Sequence, residues 1–154
     1  MNWAVSNGIV SGYGNGLFGP EDNITRQDLS VILYRYAEYA GIIAKGAPPV
    51  PYPLPYSDTH AISEYAIKAV TWTSANKITA GKPNNMFDPQ GVATQAEVSA
   101  MLHRFLDYVS AAKPTDPIPS NTGAPENTLF KAYYQVVLEL FDMDAGLRAC
   151  LISP

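Results

Sequence analysis

The chain has 154 residues, 47% of them apolar and 16% charged, with a formal net charge of −4. That is apolar material for one ordinary domain or two small packed repeats, and it excludes a wholly disordered chain. The acidic balance lacks the electrostatic footprint of a nucleic-acid binder, the single cysteine (Cys150) excludes an internal disulfide framework or a cysteine-rich metal site, and no apolar run reaches the ~18–20 residues of a membrane span, so no membrane insertion is expected.

The first residues, "NWAVSNGI" after Met1, read as the second half of a helix. No charged segment and apolar stretch of a signal peptide precede them, and the chain is expected to be a fragment of a longer product. The loop "GYGNGLFGPEDN" follows, with Gly14-x-Gly16-x-x-Gly19. This is a dinucleotide-binding string only in letters, because no strand-helix-strand unit surrounds it; the glycines are read as formers of a compact loop. Thr25-x-x-Asp28 is a variant capping box, with Thr25 accepting from the N–H of residue 28 and Asp28 reaching back to the N–H of Thr25. Leu29, Ile32, Leu33 and Tyr36 then form one stripe of an amphipathic helix. Prolines at 48, 49, 51, 53 and 55 make residues 45–55 a stiff linker.

A second unit spans 56–112. Ile62, Tyr65, Ala66, Ala69, Val70 and Trp72–Thr73 lie at helical spacing. "TAGKPNNMFDPQGVA" is a turn-rich loop. Thr94 and Glu97 form a capping box ahead of Val98, Met101, Leu102 and Phe105, again a single stripe. Residues 113–126 are a second proline-rich linker. Residues 127–154 carry a further helix, with Leu129, Phe130, Tyr133, Tyr134, Val137, Leu140 and Phe141 on one side and Gly146 as its stop.

Shifted by 69 positions, residues 3–37 fall on 72–106 without a gap. Trp3 meets Trp72, Ile9 meets Ile78, Gly12 meets Gly81, Phe18 meets Phe87, Pro20 meets Pro89, Thr25 meets Thr94 and Arg35 meets Arg104. Such self-similarity marks one supersecondary unit used twice. The fold class is therefore all-α: helix-loop-helix repeats packed as a helical bundle, the first at 1–44 and cut short at its start, the second complete.

The motifs resemble the S-layer homology (SLH) family. The first unit gives Gly8-Ile9-Val10-Ser11-Gly12-Tyr13, Asn15-Gly16-Leu17-Phe18-Gly19-Pro20 and Ile24-Thr25-Arg26-Gln27-Asp28. The second gives Lys77-Ile78-Thr79-Ala80-Gly81, Met86-Phe87-Asp88-Pro89 and Ala93-Thr94-Gln95-Ala96-Glu97, with Tyr56-Ser57-Asp58 as a unit start. The resemblance covers roughly 2–40 and 56–110. It implies a bacterial, extracellular, non-catalytic module that anchors proteins to the cell wall by binding secondary cell-wall polysaccharide, often pyruvylated. It also implies units in threes with grooves between neighbours, and an arginine, here Arg26, that partners the anionic ligand. Position 95 holds glutamine, which cannot make a charge-assisted pair.

Arg26 occupies the first helical position, where a cation opposes the helix dipole. Either it holds an anion together with the free N–H groups of the helix start, or it is a surface arginine paired with Glu21, Asp22 or Asp28. Gly12, Tyr13, Gly81, Lys82 and Gln95 are candidate groove residues, Tyr13 by stacking on a sugar and Lys82 by charge. Trp3 and Trp72 divide between core packing and groove lining. Phe18 and Phe87 read as plugs holding the loops to the core. His60 and His103 have no metal-ligand spacing, no nucleophile-base-acid set stands out, and no cofactor is expected. The rival reading is a protein-interaction module whose incomplete core is closed by the C-terminal helix, a third repeat or a homo-oligomer.

Overall fold

The computed structural model of the protein describes residues 2–11 and 23–111, without the side chains of Asn2 and Trp3. The expected linker at 113–126 and helical segment at 127–154 lie outside the described residues, as do Gly12, Tyr13 and Phe18. Residues 2–11 and 23–111 belong to two separate compact units.

In the first unit, α1 spans Asn2–Ser6. It closes on Gly8 at φ 69°, where Gly8 N–H donates to Val5 O and Ile9 N–H to Ala4 O, both at 3.0 Å. This pair of nested bonds occupies carbonyls that the last helical turn leaves unpaired, and it requires a left-handed residue, hence glycine.

The second unit contains α2 (Arg26–Tyr39), α3 (Glu64–Ala75) and α4 (Gln95–Ala111), with short 3-10 turns at Thr59–Ala61 and Pro83–Asn85. Among the described residues the only β pairings are isolated bridges, Thr25 with Val92 and Lys82 with Met86. The all-α expectation holds. Helix α4 buries Val98, Met101, Leu102 and Phe105, the stripe read from the sequence. Helix α2 buries Leu29, Leu33 and Tyr36 of its expected stripe, while Ile32 is only half-buried.

Aromatic rings tie the three helices together. Trp72 of α3 meets Tyr34 of α2 edge-on at 5.7 Å, Tyr108 of α4 at 5.3 Å and Phe105 of α4 at 6.4 Å, while Tyr36 meets Phe105 at 5.9 Å. Each edge-to-face pair adds about 0.5–1.5 kcal/mol to the burial of its rings. Trp72 is thus a core residue. Tyr65, expected on the apolar face of α3, is instead 59% exposed. It is the second residue of α3, in the first turn, and its hydroxyl donates to Asp28 at 2.7 Å.

Helices α2 and α3 end in the same way as α1. After α2, Gly41 at φ 69° donates to Glu38 O and Ile42 to Ala37 O. After α3 the left-handed residue is Lys77, at φ 58°, with Lys77 N–H on Ser74 O (3.0 Å) and Ile78 N–H on Thr73 O (2.8 Å). Lysine therefore stands in the second repeat where the first has Gly8, in a conformation that L-residues with a Cβ avoid.

The loop between α3 and α4 is held from below. Asp58, buried, accepts from the N–H groups of Phe87 (2.8 Å) and Asp88 (2.7 Å). Phe87 is fully buried with its ring 5.3 Å from that of Tyr56, as expected of a plug. Asn84, Asn85 and Asp88 take positive φ, a conformation their short polar side chains tolerate.

Candidate functional site

Thr25, Arg26, Gln27 and Asp28 form the start of α2, and each contacts the second repeat or supports a neighbour that does. Thr25 Oγ1 accepts from Asp28 N–H at 3.2 Å, as the capping box requires. Asp28 takes the Thr25 hydroxyl rather than its N–H. The Thr94–Glu97 box is reciprocal: Glu97 N–H donates to Thr94 Oγ1, and Thr94 N–H donates to Glu97 Oε2 at 2.9 Å.

The N–H groups at the start of α2 are not free. Arg26 N–H donates to Gly91 O (3.0 Å) and Gln27 N–H to Pro89 O (3.1 Å), while Ala93 N–H donates to Ile24 O (2.9 Å). The loop of the second repeat thus caps the helix of the first. The expectation of open donors beside Arg26 is corrected: backbone carbonyls occupy the place where an anion would sit.

Arg26 itself is 3% exposed. Its Nε donates to Phe87 O (2.7 Å), one terminal nitrogen to Ala80 O (2.8 Å) and the other to Glu97 Oε1 (2.6 Å), and the guanidinium lies 5.2 Å from the Phe87 ring centroid. Among the described residues its acidic partner is Glu97, from the second repeat, rather than Asp28; Glu21 and Asp22, the other acids considered for it, lie outside the described residues. An outside anion reaches the Glu97-bound nitrogen only by displacing that carboxylate. Burial alone would raise the Glu97 carboxyl, but the Thr94 N–H and hydroxyl, Arg26 and Lys82 hold it below its ordinary value. Gln27, also buried, accepts from Ser63 N–H (3.0 Å) and donates to Ser63 Oγ (3.0 Å) and Tyr65 OH (2.9 Å), so it caps the start of α3.

Gly81 and Lys82, both predicted groove residues, lie elsewhere, in an open cleft of about 520 Å³ inside the second unit. Tyr52 of the proline-rich segment, Tyr56, Lys77, Lys82, Asn85 and Arg104 are among the residues that line it. Every charged residue in this lining is a cation. Lys82 is paired with Asp88 at 2.6 Å and lies 3.9 Å from Glu97. Lys77 and Arg104 have no ion-pair partner among the described residues. Tyr56 is fixed, with its hydroxyl 3.1 Å from Ser74 Oγ and its ring against Phe87. A Cβ on Gly81 would stand 2.8 Å from Tyr56 Cε1 and 3.1 Å from Met86 O, so glycine here makes room for the aromatic wall.

The predicted residues are therefore not all brought together. Arg26 holds the seam between the repeats, and Gly81 and Lys82 line the cleft. Gln95 stands exposed at the first turn of α4. The Trp3 side chain, Gly12 and Tyr13 lie outside the described residues. Sequence reading missed Tyr52, Lys77 and Arg104. For Lys77 a signal existed: a lysine aligned with Gly8 at a helix end. Among the described residues no group of three or more metal-ligating side chains occurs, and no helix is long and apolar enough to cross a membrane.

The family model of the S-layer homology domain matches residues 1–30 and 55–99. A surface layer protein of Brevibacillus choshinensis is 34% identical over 101 residues, covering 66% of this chain and 9% of that protein. A middle cell wall protein of Brevibacillus brevis is 32% identical over 106 residues (69% and 10%), and an amylopullulanase of Thermoanaerobacterium thermosulfurigenes is 33% identical over 107 residues (68% and 5%). The chain thus spans a tenth or less of the length of these relatives. No solved structure matches it.

Proposed function

The chain belongs to the S-layer homology domain family, and from that membership we propose that it anchors a surface protein to the bacterial cell wall, without catalysis, by binding an anionic, pyruvylated secondary cell-wall polysaccharide. The observation that carries the binding chemistry is the cleft beside Gly81 and Lys82. In a chain of net charge −4 its charged lining is entirely cationic, and two tyrosines flank it. Cations with aromatic walls suit an acidic sugar, charge meeting charge while the ring faces lie against apolar surface. Arg26 enters this function by holding Ala80 and Phe87, which fix the loop that forms the cleft. The test is co-sedimentation with purified sacculi. Retention on intact sacculi, lost after mild acid removes ketal-linked acids, is the expected result; equal retention on both sacculi overturns the pyruvate assignment, and no retention on either overturns the anchoring reading.

A second reading, assembly through an incomplete core, is favoured by one contrast. The N–H groups of Arg26 and Gln27 are capped by the neighbouring repeat, whereas those of their counterparts Gln95 and Ala96 have no partner among the described residues. Another unit docked there would supply the carbonyls. Light scattering on the purified chain decides it, a strictly monomeric chain counting against assembly.

A further inference from the structure

We propose that Lys77 and Arg104 are the anion-holding residues of the second repeat and that the ring of Tyr52 is its sugar platform, so that this repeat takes an acidic sugar without a motif arginine. The ligand class is a wall glycan residue bearing a carboxylate or a phosphate. The proposal rests on the anchoring function above and assigns its contacts to residues other than Arg26.

Three observations converge on it. Lys77 and Arg104 line one cleft, have no ion-pair partner among the described residues, and have no carboxylate beside them in that lining. Like charges gathered without a counter-charge repel one another and favour a bound anion. The fold gains nothing visible from the lysine at 77: it holds a left-handed backbone at φ 58°, where the first repeat uses Gly8 at φ 69°. Strain kept at one residue that opens into a cleft is expected where that side chain serves a ligand. The charge pattern also differs between repeats. The first has the motif cation Arg26, but Gly8 and Tyr13 at the positions of Lys77 and Lys82; the second has Gln95 in place of the arginine and carries its cations at 77 and 82.

The aromatic side fits the same ligand. Tyr56 is tethered to Ser74 and Phe87, whereas Tyr52 is 38% exposed, on a segment that prolines at 51, 53 and 55 keep extended. A volume of about 520 Å³ accommodates a small saccharide.

The test compares the wild-type chain with Lys77→Gly, Arg104→Gln, the double variant and Tyr52→Ala. Titration calorimetry against an oligogalacturonate, a polyglycerol phosphate and a neutral oligosaccharide of matched length is run beside thermal unfolding. Binding to one acidic probe and not to the neutral one is expected, and the arm that binds names the anion. Lys77→Gly melts higher than wild type yet binds about tenfold more weakly, so its loss of binding is not a loss of folding. The double variant loses binding, and Tyr52→Ala weakens binding of the acidic probe. Retention on sacculi by the double variant equal to wild type overturns this assignment and leaves the anchoring function standing. Wild type binding the neutral probe as well as the acidic ones, or binding none of the three, also overturns it.

Discussion

At the scale of single residues, position 77 separates what the fold wants from what the cleft holds. A left-handed lysine costs about 1–2 kcal/mol relative to a relaxed backbone, and glycine returns roughly 0.5–1 kcal/mol of that through its greater freedom in the unfolded chain. Lys77→Gly is therefore expected to stabilise the protein by about 0.5–1 kcal/mol, read as a higher urea midpoint at unchanged slope. Gly81→Ala should do the reverse. Its Cβ meets Tyr56, which Ser74 and Phe87 prevent from stepping aside, and the Met86 carbonyl behind it. A loss of about 1–3 kcal/mol follows from such overpacking, with unfolding by urea as the measurement. Neither residue's environment is local in sequence. The repeat alignment showed a lysine facing a glycine, but only the folded loop shows what Gly81 accommodates.

At the scale of elements, the seam between the repeats is built from one end of one helix. Arg26 and Gln27 make eight hydrogen bonds, counting their backbone N–H groups and the Ser63 N–H that Gln27 accepts from, with residues 36 to 71 positions distant. This is why sequence reading turned Arg26 outward: periodicity reports which face of a helix is apolar, and says nothing of a polar helix end that meets another repeat. The caps and the stripes of α2 and α4 were legible because their signals lie within four residues of each other. Tyr65 was misplaced on the apolar side of α3 because a tyrosine at helical spacing scores as core until its hydroxyl finds a partner. Arg26→Ala leaves the buried Phe87 carbonyl, the Ala80 carbonyl and one oxygen of Glu97 without this donor, and a loss of about 3–5 kcal/mol is expected. Gln27→Ala, which copies Ala96 of the second repeat, should cost less, about 1–3 kcal/mol. Thermal unfolding of both variants checks the order; an Arg26→Ala protein as stable as wild type would remove the seam from this account.

At the scale of the whole molecule, two carboxylates link the seam, the loop and the α4 cap to pH. Burial alone would raise the Asp58 carboxyl, yet the Phe87 and Asp88 N–H groups that it accepts from hold it below its ordinary value. Glu97 is held low as well, by the Thr94 N–H and hydroxyl and by Arg26 and Lys82, against the opposing effect of burial. Both groups have a lower pKa folded than unfolded. Their contribution is complete above the unfolded carboxylate values of about 4 and is lost as pH falls through the folded ones. Protonating Asp58 releases the N–H groups that pin Phe87, and protonating Glu97 weakens the α4 cap and the Arg26 pair together. Acid should therefore loosen loop and seam in one transition. The unfolding midpoint is expected to stay level from pH 7 to about 5 and to drop steeply below about 4. Asp58→Asn keeps one acceptor but cannot titrate. It should lower stability at neutral pH and flatten the acid limb, and a midpoint that falls as steeply in this variant as in wild type would place the acid sensitivity elsewhere.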